Sequence, residues 1–422
     1  MPFSSLGLIP SLLRAVSEKS YTAPTAIQAA AIPVILRGQD VLGLAQTGSG
    51  KTAAFALPLL QLLQGKPSER PRQVRALILV PTRELAVQIG DSLATYAQHL
   101  PQPLKIATVF GGVSINPQML GLRGGADIVV ATPGRLLDLI DHNAVSIARS
   151  ALLVLDEADR LLDLGFADEI NRLLALLPVQ RQNLFFSATF PPAVNALAGK
   201  ILKQPVRIEA EAATAGAPDI AQRAILVDAG KRTQLLRHLI QQHQWDRVLV
   251  FVATKHATEH VADKLRRSGI KAAPFHGELS QGNRNQVLTE FRAAKLQVLV
   301  ATDVAARGID IAQLPAVVNY DLPRSVTDYT HRIGRTGRAG LSGTAISFCS
   351  AATEAHLRLI ENRLQLRLPR EQLAGFEPAA NPQPVTAAAA ALAEEQAKGG
   401  IKGKRKSKKD KLREAAAREA GT

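Results

Sequence analysis

The sequence predicts an α/β protein in which two parallel-sheet lobes follow one another and a basic tail ends the chain. Short, wholly apolar runs alternate with helical stretches, which is typical of parallel strands covered by helices on both faces. The alternation stops at residues 209–219 (EAEAATAGAPD) and then begins again. Beyond about residue 370 the composition turns to Ala and then to Lys and Arg. A chain of 422 residues is also too long for one ordinary core.

The predicted strands of the first lobe are the apolar runs that begin near residue 40. They are VLGLA (41–45), ALILV (76–80), IATVF (106–110), DIVVAT (127–132), ALLVLDE (151–157) and NLFFSAT (183–189). Several of these runs end in polar residues. Because the carboxyl ends of parallel strands share one edge of a sheet, where ligands bind, we expect those polar residues to meet there.

The second lobe has the same layout. Its predicted strands are RVLVFVAT (247–254), AAPFHG (272–277), QVLVATD (297–303), AVVNYD (316–321) and GTAISFC (343–349). The predicted boundaries are therefore a first lobe at 1–208, a linker at 209–219, a second lobe at 220–370 and a tail at 371–422. Two similar lobes on a flexible joint predict a clamp that closes on its ligands.

Charge and cysteine content limit the classes of partner and compartment. The net charge is +15, and residues 398–419 contribute ten Lys/Arg against three Asp/Glu, so the rest of the chain is basic too. This excess favours a polyanionic partner over simple solubilisation, and the tail is expected to be disordered until it meets nucleic acid. A single cysteine, Cys349, suits a reducing compartment. No membrane span or secretory signal is apparent, so a cytoplasmic location and no membrane partner are expected.

The stretch AQTGSGKT matches a phosphate-binding loop in which Ala replaces the usual first Gly. Its glycines let backbone N–H groups point at phosphate oxygens, and the following helix adds its dipole. The lysine supplies a charge for the terminal phosphates, and the final threonine supplies a hydroxyl for Mg²⁺. A plain Gly-rich turn is the alternative. The loop consists of Ala45, Gln46, Thr47, Gly48, Ser49, Gly50, Lys51 and Thr52.

Acidic residues follow the fifth predicted strand in LVLDEAD, where Asp156 and Glu157 come directly after an apolar run. A carboxylate after a strand, downstream of a phosphate loop, is the usual Mg²⁺ partner in such NTPases. Its neighbour is placed to polarise an attacking water. A solvated turn is the alternative, and two adjacent acids in this context disfavour it.

HRIGRTGR (331–338) places three arginines around two glycines in the second lobe. A guanidinium can neutralise charge that develops on a transferred phosphoryl group. An RNA-contacting loop and a solvated face are the other interpretations. Gln28, near the start of a predicted helix, has an amide suited to the edge of adenine, although a surface glutamine is usually only hydrated.

Taken together, the motifs resemble those of the DEAD-box ATP-dependent RNA helicases of superfamily 2. The similarity runs from about Phe3 to about residue 365, and the motifs stand in the family's order. Within the family, FHGELSQGNRNQVLTEFR and IDIAQLPAVVNYDLP are most similar to bacterial RhlE-type members. The motifs are YTAPTAIQ, AQTGSGKT, PTRELA, GG (111–112), TPGR, DEAD, SAT, ATDVAARGID and HRIGRTGR.

The resemblance implies two tandem RecA-like domains, ATP and Mg²⁺ as ligands, and a role for each motif residue. For ATP it implies Gln28, Tyr21 and Phe3 at the base, the phosphate loop at the phosphates, and Asp310 at the ribose. For hydrolysis it implies Lys51, Asp156 with Thr52 at Mg²⁺ through water, Glu157 at the lytic water, and Arg335 and Arg338 as arginine fingers. For coupling between the lobes it implies Asp159, Ser187, Thr189 and His331. For RNA it implies Thr82, Arg83, Gly111, Gly112, Thr132, Arg135, Arg284 and Thr302.

The activity expected from the resemblance is RNA-stimulated ATP hydrolysis that separates short duplexes or remodels RNA–protein complexes, with little sequence preference. Two alternatives remain: an ATP-dependent RNA clamp that recruits partners without unwinding, and a DNA translocase. Ribosomal and RNA-decay proteins are both compatible as partners. A strand-separation assay and a comparison of RNA with DNA as activator discriminate among these hypotheses.

Overall fold

The computed structural model describes residues 2–45, 48–65, 71–209, 220–306, 314–337 and 342–378. Those up to Glu377 belong to one compact unit that contains two seven-stranded sheets. Every strand pair in both sheets is parallel, which confirms the predicted α/β class. Residues 210–219 of the predicted linker and the basic tail beyond residue 378 lie outside the described residues. No helix in the described ranges is long and apolar enough to cross a membrane.

The first lobe consists of strands β1 to β7 and helices α1 to α9. The strands are β1 Val41–Leu44, β2 Ala76–Leu79, β3 Ile106–Val109, β4 Ile128–Ala131, β5 Leu152–Leu155, β6 Gln182–Ser187 and β7 Val206–Glu209. The helices are α1 Pro10–Glu18, α2 Ala26–Leu36, α3 Lys51–Gln64, α4 Arg83–Ala97, α5 Asn116–Gly121, α6 Pro133–Asp141, α7 Ala158–Asp163, α8 Ala167–Leu176 and α9 Pro192–Ile201. The strand order is β3-β4-β2-β5-β6-β1-β7.

The central strands of this sheet are apolar at every position because both of their faces are covered. In β2, Ala76 and Ile78 belong to one hydrophobic core, whereas Leu77 and Leu79 belong to the core on the opposite face. Burial on both sides is why these strands appear in the sequence as continuous apolar runs.

The second lobe repeats the architecture. Its strands are β8 Ile220–Leu226, β9 Val248–Phe251, β10 Ala272–Phe275, β11 Val298–Ala301, β12 Ala316–Asn319, β13 Gly343–Cys349 and β14 Arg370–Glu371, in the order β10-β11-β9-β12-β13-β8-β14. Its helices are α10 Arg232–His243, α11 Lys255–Arg267, α12 Gln281–Arg292, α13 Asp303–Ala306, α14 Val326–Ile333 and α15 Glu354–Leu364. All eleven predicted strand positions are occupied by strands.

Three strands were not predicted: β7, β8 and β14. They lie at or next to a sheet edge, and each contains exposed or partly exposed polar residues, so none forms a continuous apolar run. The described chain also continues past the predicted boundary at residue 370. There β14 pairs with β8, and Leu373 and Phe376 pack against a core of the second lobe. Apolar side chains in an otherwise polar segment thus attach residues 371–377 to this lobe.

Candidate functional site

The phosphate loop follows β1 at the carboxyl edge of the first sheet. Gly48 and Gly50 have φ angles of 83° and 94°, in the left-handed region that glycine adopts without strain. Helix α3 begins at Lys51, whose ammonium is buried and donates a hydrogen bond of 2.9 Å to the carbonyl oxygen of Ala45. A left-handed turn leading into a helix N-terminus is a concave anion site. Ser49 and Thr52 lie within this described part of the loop, whereas Gln46 and Thr47 lie outside the described residues.

Gln28 contacts the phosphate loop directly. Its Nε2 donates to the carbonyl oxygen of Gly50 at 3.1 Å, and its Oε1 accepts from the backbone N–H of Thr25 at 2.9 Å. A Cβ atom on Gly50 would come within 2.4 Å of that Nε2, so only glycine leaves room for the contact. Gln28 therefore connects the start of α2 to the phosphate loop.

Two aromatic residues lie in the same N-terminal part of the first lobe. The rings of Phe3 and Tyr21 stack with centroids 6.4 Å apart, and Phe3 is buried whereas Tyr21 is exposed. The Tyr21 hydroxyl is 3.3 Å from that of Tyr96 on α4. An exposed ring face supported from behind is suited to stacking with a planar ligand.

Three carboxylates are buried after β5. Asp156, Glu157 and Asp159 are each at most 4% exposed. Burial is the main cause that raises the pKa of Asp156 to about 6, and the neighbouring Lys51 charge opposes the shift. Glu157 has a φ angle of 51°, and its N–H donates to Asp156 Oδ1 at 2.9 Å. A non-glycine residue in the left-handed region is a form of local strain that concentrates at functional sites.

Asp159 is hydrogen-bonded to the segment that follows β6. Its Oδ2 accepts from the Thr189 N–H at 3.0 Å and from the Thr189 hydroxyl at 2.8 Å. Its own N–H donates to Ser187 Oγ at 3.3 Å, and the Ser187 hydroxyl donates to the Thr189 carbonyl oxygen at 2.6 Å. Asp159 and the SAT segment thus form one connected polar network.

Asp156 and Thr52 are suited to bind Mg²⁺ in the way that phosphate-transfer sites do. Within the described residues no group of three or more His, Cys, Asp or Glu side chains could hold a metal ion by itself. Mg²⁺ does not require such a cage, because it commonly binds one or two carboxylates, waters and substrate phosphates. Asp156 and Thr52 supply that limited donor set, and Glu157 Oε2 is buried without a hydrogen bond.

At the junction with the second lobe, the motif HRIGRTGR meets the helix that follows these acids. His331 and Arg335 line a small cavity together with Arg160 of α7 in the first lobe. Arg332 is buried and holds Asp303 through two hydrogen bonds of 2.6 and 2.7 Å, so it is a structural residue of the second lobe. The predicted site residues Asp310 and Arg338 lie outside the described residues.

The predicted RNA residues of the first lobe come together at the ends of β2, β3 and β4. Thr82 caps α4, and Thr132 Oγ1 accepts from the Gly111 N–H at 3.3 Å. A Cβ atom on Gly112 would come within 2.7 Å of Arg83 Nη2, which places this glycine against that guanidinium. Arg135, at the start of α6, is buried and donates to the Val113 carbonyl oxygen at 2.7 Å.

The two remaining predicted RNA residues belong to the second lobe. Arg284 is buried and lies in an ion pair with Glu84 of α4, 2.7 Å from Nη2 to Oε1. Arg83 Nη1 donates to Gln281 Oε1 at 3.0 Å beside it. Thr302, which follows β11, is partly buried. Arg83 and Arg284 therefore join the two lobes in this arrangement.

Sequence reasoning did not identify Glu84, Gln281 or Arg160 as part of the site. Each lies inside or directly beside a motif: Glu84 in PTRELA, Gln281 three residues before Arg284, and Arg160 directly after DEAD. Their positions next to motifs could have marked them as site residues. Their contacts could not be predicted, because the residues that they contact belong to distant segments of the chain.

Comparisons with known proteins agree with this geometry. The DEAD/DEAH box helicase family matches residues 25–197, and the helicase conserved C-terminal domain matches residues 230–340. ATP-dependent RNA helicase DeaD of Mycobacterium tuberculosis is 42% identical over 89% of this chain, and DeaD of Escherichia coli is 40% identical over 89%. The chain spans 65% and 59% of the length of those two relatives.

Solved structures of DEAD-box proteins are also similar to this chain in sequence and fold. A DEAD box protein from the hyperthermophile Methanococcus jannaschii is 38% identical, with a TM-score of 0.53 over 88% of this chain and 99% of that one. S. cerevisiae Dbp5 bound to RNA and ADP BeF3 is 30% identical, with a TM-score of 0.78 over 88% of this chain and 95% of that one. On these grounds, this chain belongs to the DEAD-box family of ATP-dependent RNA helicases.

Proposed function

We propose that this protein hydrolyses ATP in response to RNA and uses the cycle to separate short RNA duplexes or to remodel RNA–protein complexes. The observation that carries the proposal is that residues of both lobes come together near the buried acids. The first lobe brings a phosphate loop and buried acids to one sheet edge, and Arg335 of the second lobe lines a cavity with Arg160, the residue that directly follows those acids. Dbp5, a relative with this fold, has been solved with RNA and ADP BeF3.

The first lobe binds ATP in this proposal. Backbone N–H groups of residues 48–52 and the Lys51 ammonium hold the phosphates, after Lys51 exchanges its bond to Ala45 for phosphate oxygens. Gln28, whose side chain is bonded to Gly50, selects the base. The stacked rings of Phe3 and Tyr21 support the base. Asp310 holds the ribose from the second lobe. The adenine amidine edge is well matched to one amide, which can donate and accept at once.

Hydrolysis proceeds by attack of water on the terminal phosphoryl group. Asp156 and Thr52 would hold Mg²⁺ through water, and the bound ion would supply positive charge that neutralises the phosphates. Glu157 orients the water and accepts its proton. Arg335 and Arg338 stabilise the charge on the transferred group, and they act only when the lobes meet. The hydrogen bonds among Asp159, Ser187 and Thr189 relay the state of the site, with His331 on the facing lobe.

RNA binds along the face formed by Thr82, Arg83, Gly111, Gly112, Thr132 and Arg135, continued by Arg284 and Thr302. Hydroxyl groups, guanidinium groups and glycine N–H groups suit phosphate and sugar contacts, so sequence preference is slight. ATP and single-stranded RNA together favour closure, and their combined binding free energy shifts the population towards that state. In this proposal closure bends the bound RNA strand. A regular duplex cannot adopt that bend, so the other strand is released.

Turnover with and without RNA tests the proposal. We expect ATP turnover to rise at least tenfold with RNA and to respond far less to DNA of the same sequence. A short duplex should separate in the same reaction. Turnover without strand separation would favour the clamp alternative, and equal stimulation by DNA would favour a translocase. The RhlE-type subgroup, and ribosomal or RNA-decay proteins as partners, are further proposals that RNA crosslinking in cells would test.

A further inference from the structure

Arg160 is a buried arginine to which the family motifs and the proposed mechanism give no role. It follows the acids on α7 and is 3% exposed. Its Nε lies 3.6 Å from Glu157 Oε2, which is an ion pair and too long for a hydrogen bond. Its Nε and Nη1 have no hydrogen-bond partner. A buried guanidinium with unpaired N–H groups requires an explanation, because such groups are costly.

The second lobe covers this side chain. The cavity beside Arg160 is lined by second-lobe residues that include the carboxylates Asp303 and Asp328 and the basic residues His331, Arg332 and Arg335, and its volume is about 10 Å³. That space holds at most one water molecule. A phosphate group does not fit in this cavity. Within its own lobe, Arg160 forms an ion pair with Glu157, three residues before it.

Glu157 in turn needs to be held in place. Its backbone is in the left-handed region at φ 51°, and its N–H is fixed by Asp156 Oδ1. Its side chain is less constrained, because Oε2 makes no hydrogen bond. Arg160 Nε lies 3.6 Å from this oxygen and forms an ion pair with the carboxylate. The direction in which the carboxylate points therefore depends on Arg160.

We propose that Arg160 is a positioning residue that makes the placement of Glu157 depend on closure of the lobes. When the second lobe covers the pair, water is excluded and the attraction between the two charges is strong. When the lobes part, water hydrates the guanidinium and the attraction weakens. Glu157 is then held in its working position only while Arg335 is also at the site. This inference rests on the proposed function, in which Glu157 acts on the lytic water.

The test is ATP turnover of full-length variants with and without RNA. Arg160→Gln should lower the RNA-stimulated kcat about tenfold, the scale of a misplaced base, with the KM for ATP within about twofold of wild type. Turnover without RNA should fall much less. Arg160→Lys should restore most of the rate, and Arg160→Met is made as a second neutral variant that keeps the aliphatic volume. Arg172→Gln, which removes an exposed arginine 3.6 Å from Asp141, is the matched control.

A double variant separates positioning from a general structural effect. Because Arg160 acts through Glu157, adding Arg160→Gln to Glu157→Gln should cause no further loss. The inference is overturned if both neutral variants keep wild-type kcat, if Arg160→Lys is as slow as Arg160→Gln, or if the two losses multiply. Absence of RNA-stimulated turnover in wild type would instead overturn the proposed function, and this inference with it.

Discussion

Arg284 Nη2 lies 2.7 Å from Glu84 Oε1, and this ion pair joins α12 of the second lobe to α4 of the first. The Arg284 side chain is 3% exposed, and its guanidinium lies 4.5 Å from the centre of the Phe275 ring. Burial lowers the pKa of Arg284 from its ordinary value, and the Glu84 carboxylate opposes that shift. Residues proposed to contact RNA thus also hold the lobes together.

Glu84→Gln should weaken the contact between the lobes. The change leaves the Arg284 charge buried without its partner, which costs about 3–5 kcal/mol in a closed site. Separation of the lobes relieves that cost by exposing Arg284 to water. We expect lower energy transfer between dyes on Asp168→Cys and Lys264→Cys, which lie on exposed helical positions of different lobes. Glu278→Gln, which removes an exposed pair with Lys255 inside the second lobe, serves as the control. An unchanged distance in Glu84→Gln would show that the pair does not hold the lobes.

Lys51→Ala should abolish ATP turnover and leave the fold intact. The ammonium is the only Lys or Arg charge in the described part of the phosphate loop, and its loss removes the contact to the terminal phosphates. We expect at least a hundredfold fall in kcat/KM, as for other lost phosphate contacts. Circular dichroism and thermal melting check the fold. Turnover close to wild type would reject the assignment of the loop.

Glu157→Gln should bind ATP and RNA but stall before hydrolysis. The amide keeps the size of the carboxylate and cannot take a proton from water, so closure proceeds while chemistry does not. RNA dissociation, followed by fluorescence in the presence of ATP, should slow about a hundredfold or more relative to wild type. Rapid release of RNA from this variant would exclude Glu157 as the base.

Acid should destabilise the C-terminal part of the second lobe. The Arg370 guanidinium, 2.7 Å from Glu361 Oε2, holds the pKa of that carboxyl below its ordinary value of 4.5. Because the folded pKa is the lower one, this stabilisation is complete above pH 4.5 and is lost as the pH falls through the folded value. Urea unfolding followed by Trp245, the single tryptophan, should give a falling free energy of unfolding below that pH.

The variant Arg370→Gln provides the comparison. It should be less stable than wild type at neutral pH and should depend less on pH below 4.5, since Glu361 then titrates near its ordinary value. Equal pH dependence in the two proteins would show that this ion pair is not the cause.

Removal of residues 398–422 should weaken RNA binding and flatten its salt dependence. Residues 398–419 carry ten Lys/Arg and three Asp/Glu, and each phosphate contact that is lost lowers the slope of log K against log salt. Fluorescence anisotropy at several salt concentrations measures both quantities. The matched control is a full-length variant in which neutral residues replace the Lys/Arg residues of 398–419, so that the length of the chain is kept. An unchanged slope in both would exclude the tail as an RNA contact.

The sequence predicted the parts of the fold that depend on local burial. Alternate residues of β2 belong to opposite cores, which leaves a continuous apolar run that can be recognised without a structure. Strand β8 was not predicted, because the partly buried polar residues Gln222 and Arg223 interrupt its apolar run. The same holds for β14, a two-residue strand that depends on pairing with β8.

The site was predictable where one short segment carries the chemistry, as in the phosphate loop and the acids after β5. Contacts between distant segments of the chain could not be predicted from the sequence. Arg83 and Gln281 are 198 residues apart in sequence, and nothing local to either indicates that they meet. Gln28 is an intermediate case. Its amide was assigned to adenine, and its bond to the Gly50 carbonyl oxygen depends on how α2 packs beside the loop.

The central claim is that the second lobe supplies cations to ATP held by the first. A crystal structure with a non-hydrolysable ATP analogue and oligouridine tests it most directly. The account predicts guanidinium nitrogens of Arg335 and Arg338 about 3 Å from the oxygens of the terminal phosphoryl group, with RNA bound across both lobes. A ternary structure in which both side chains lie more than about 6 Å from that group would contradict it.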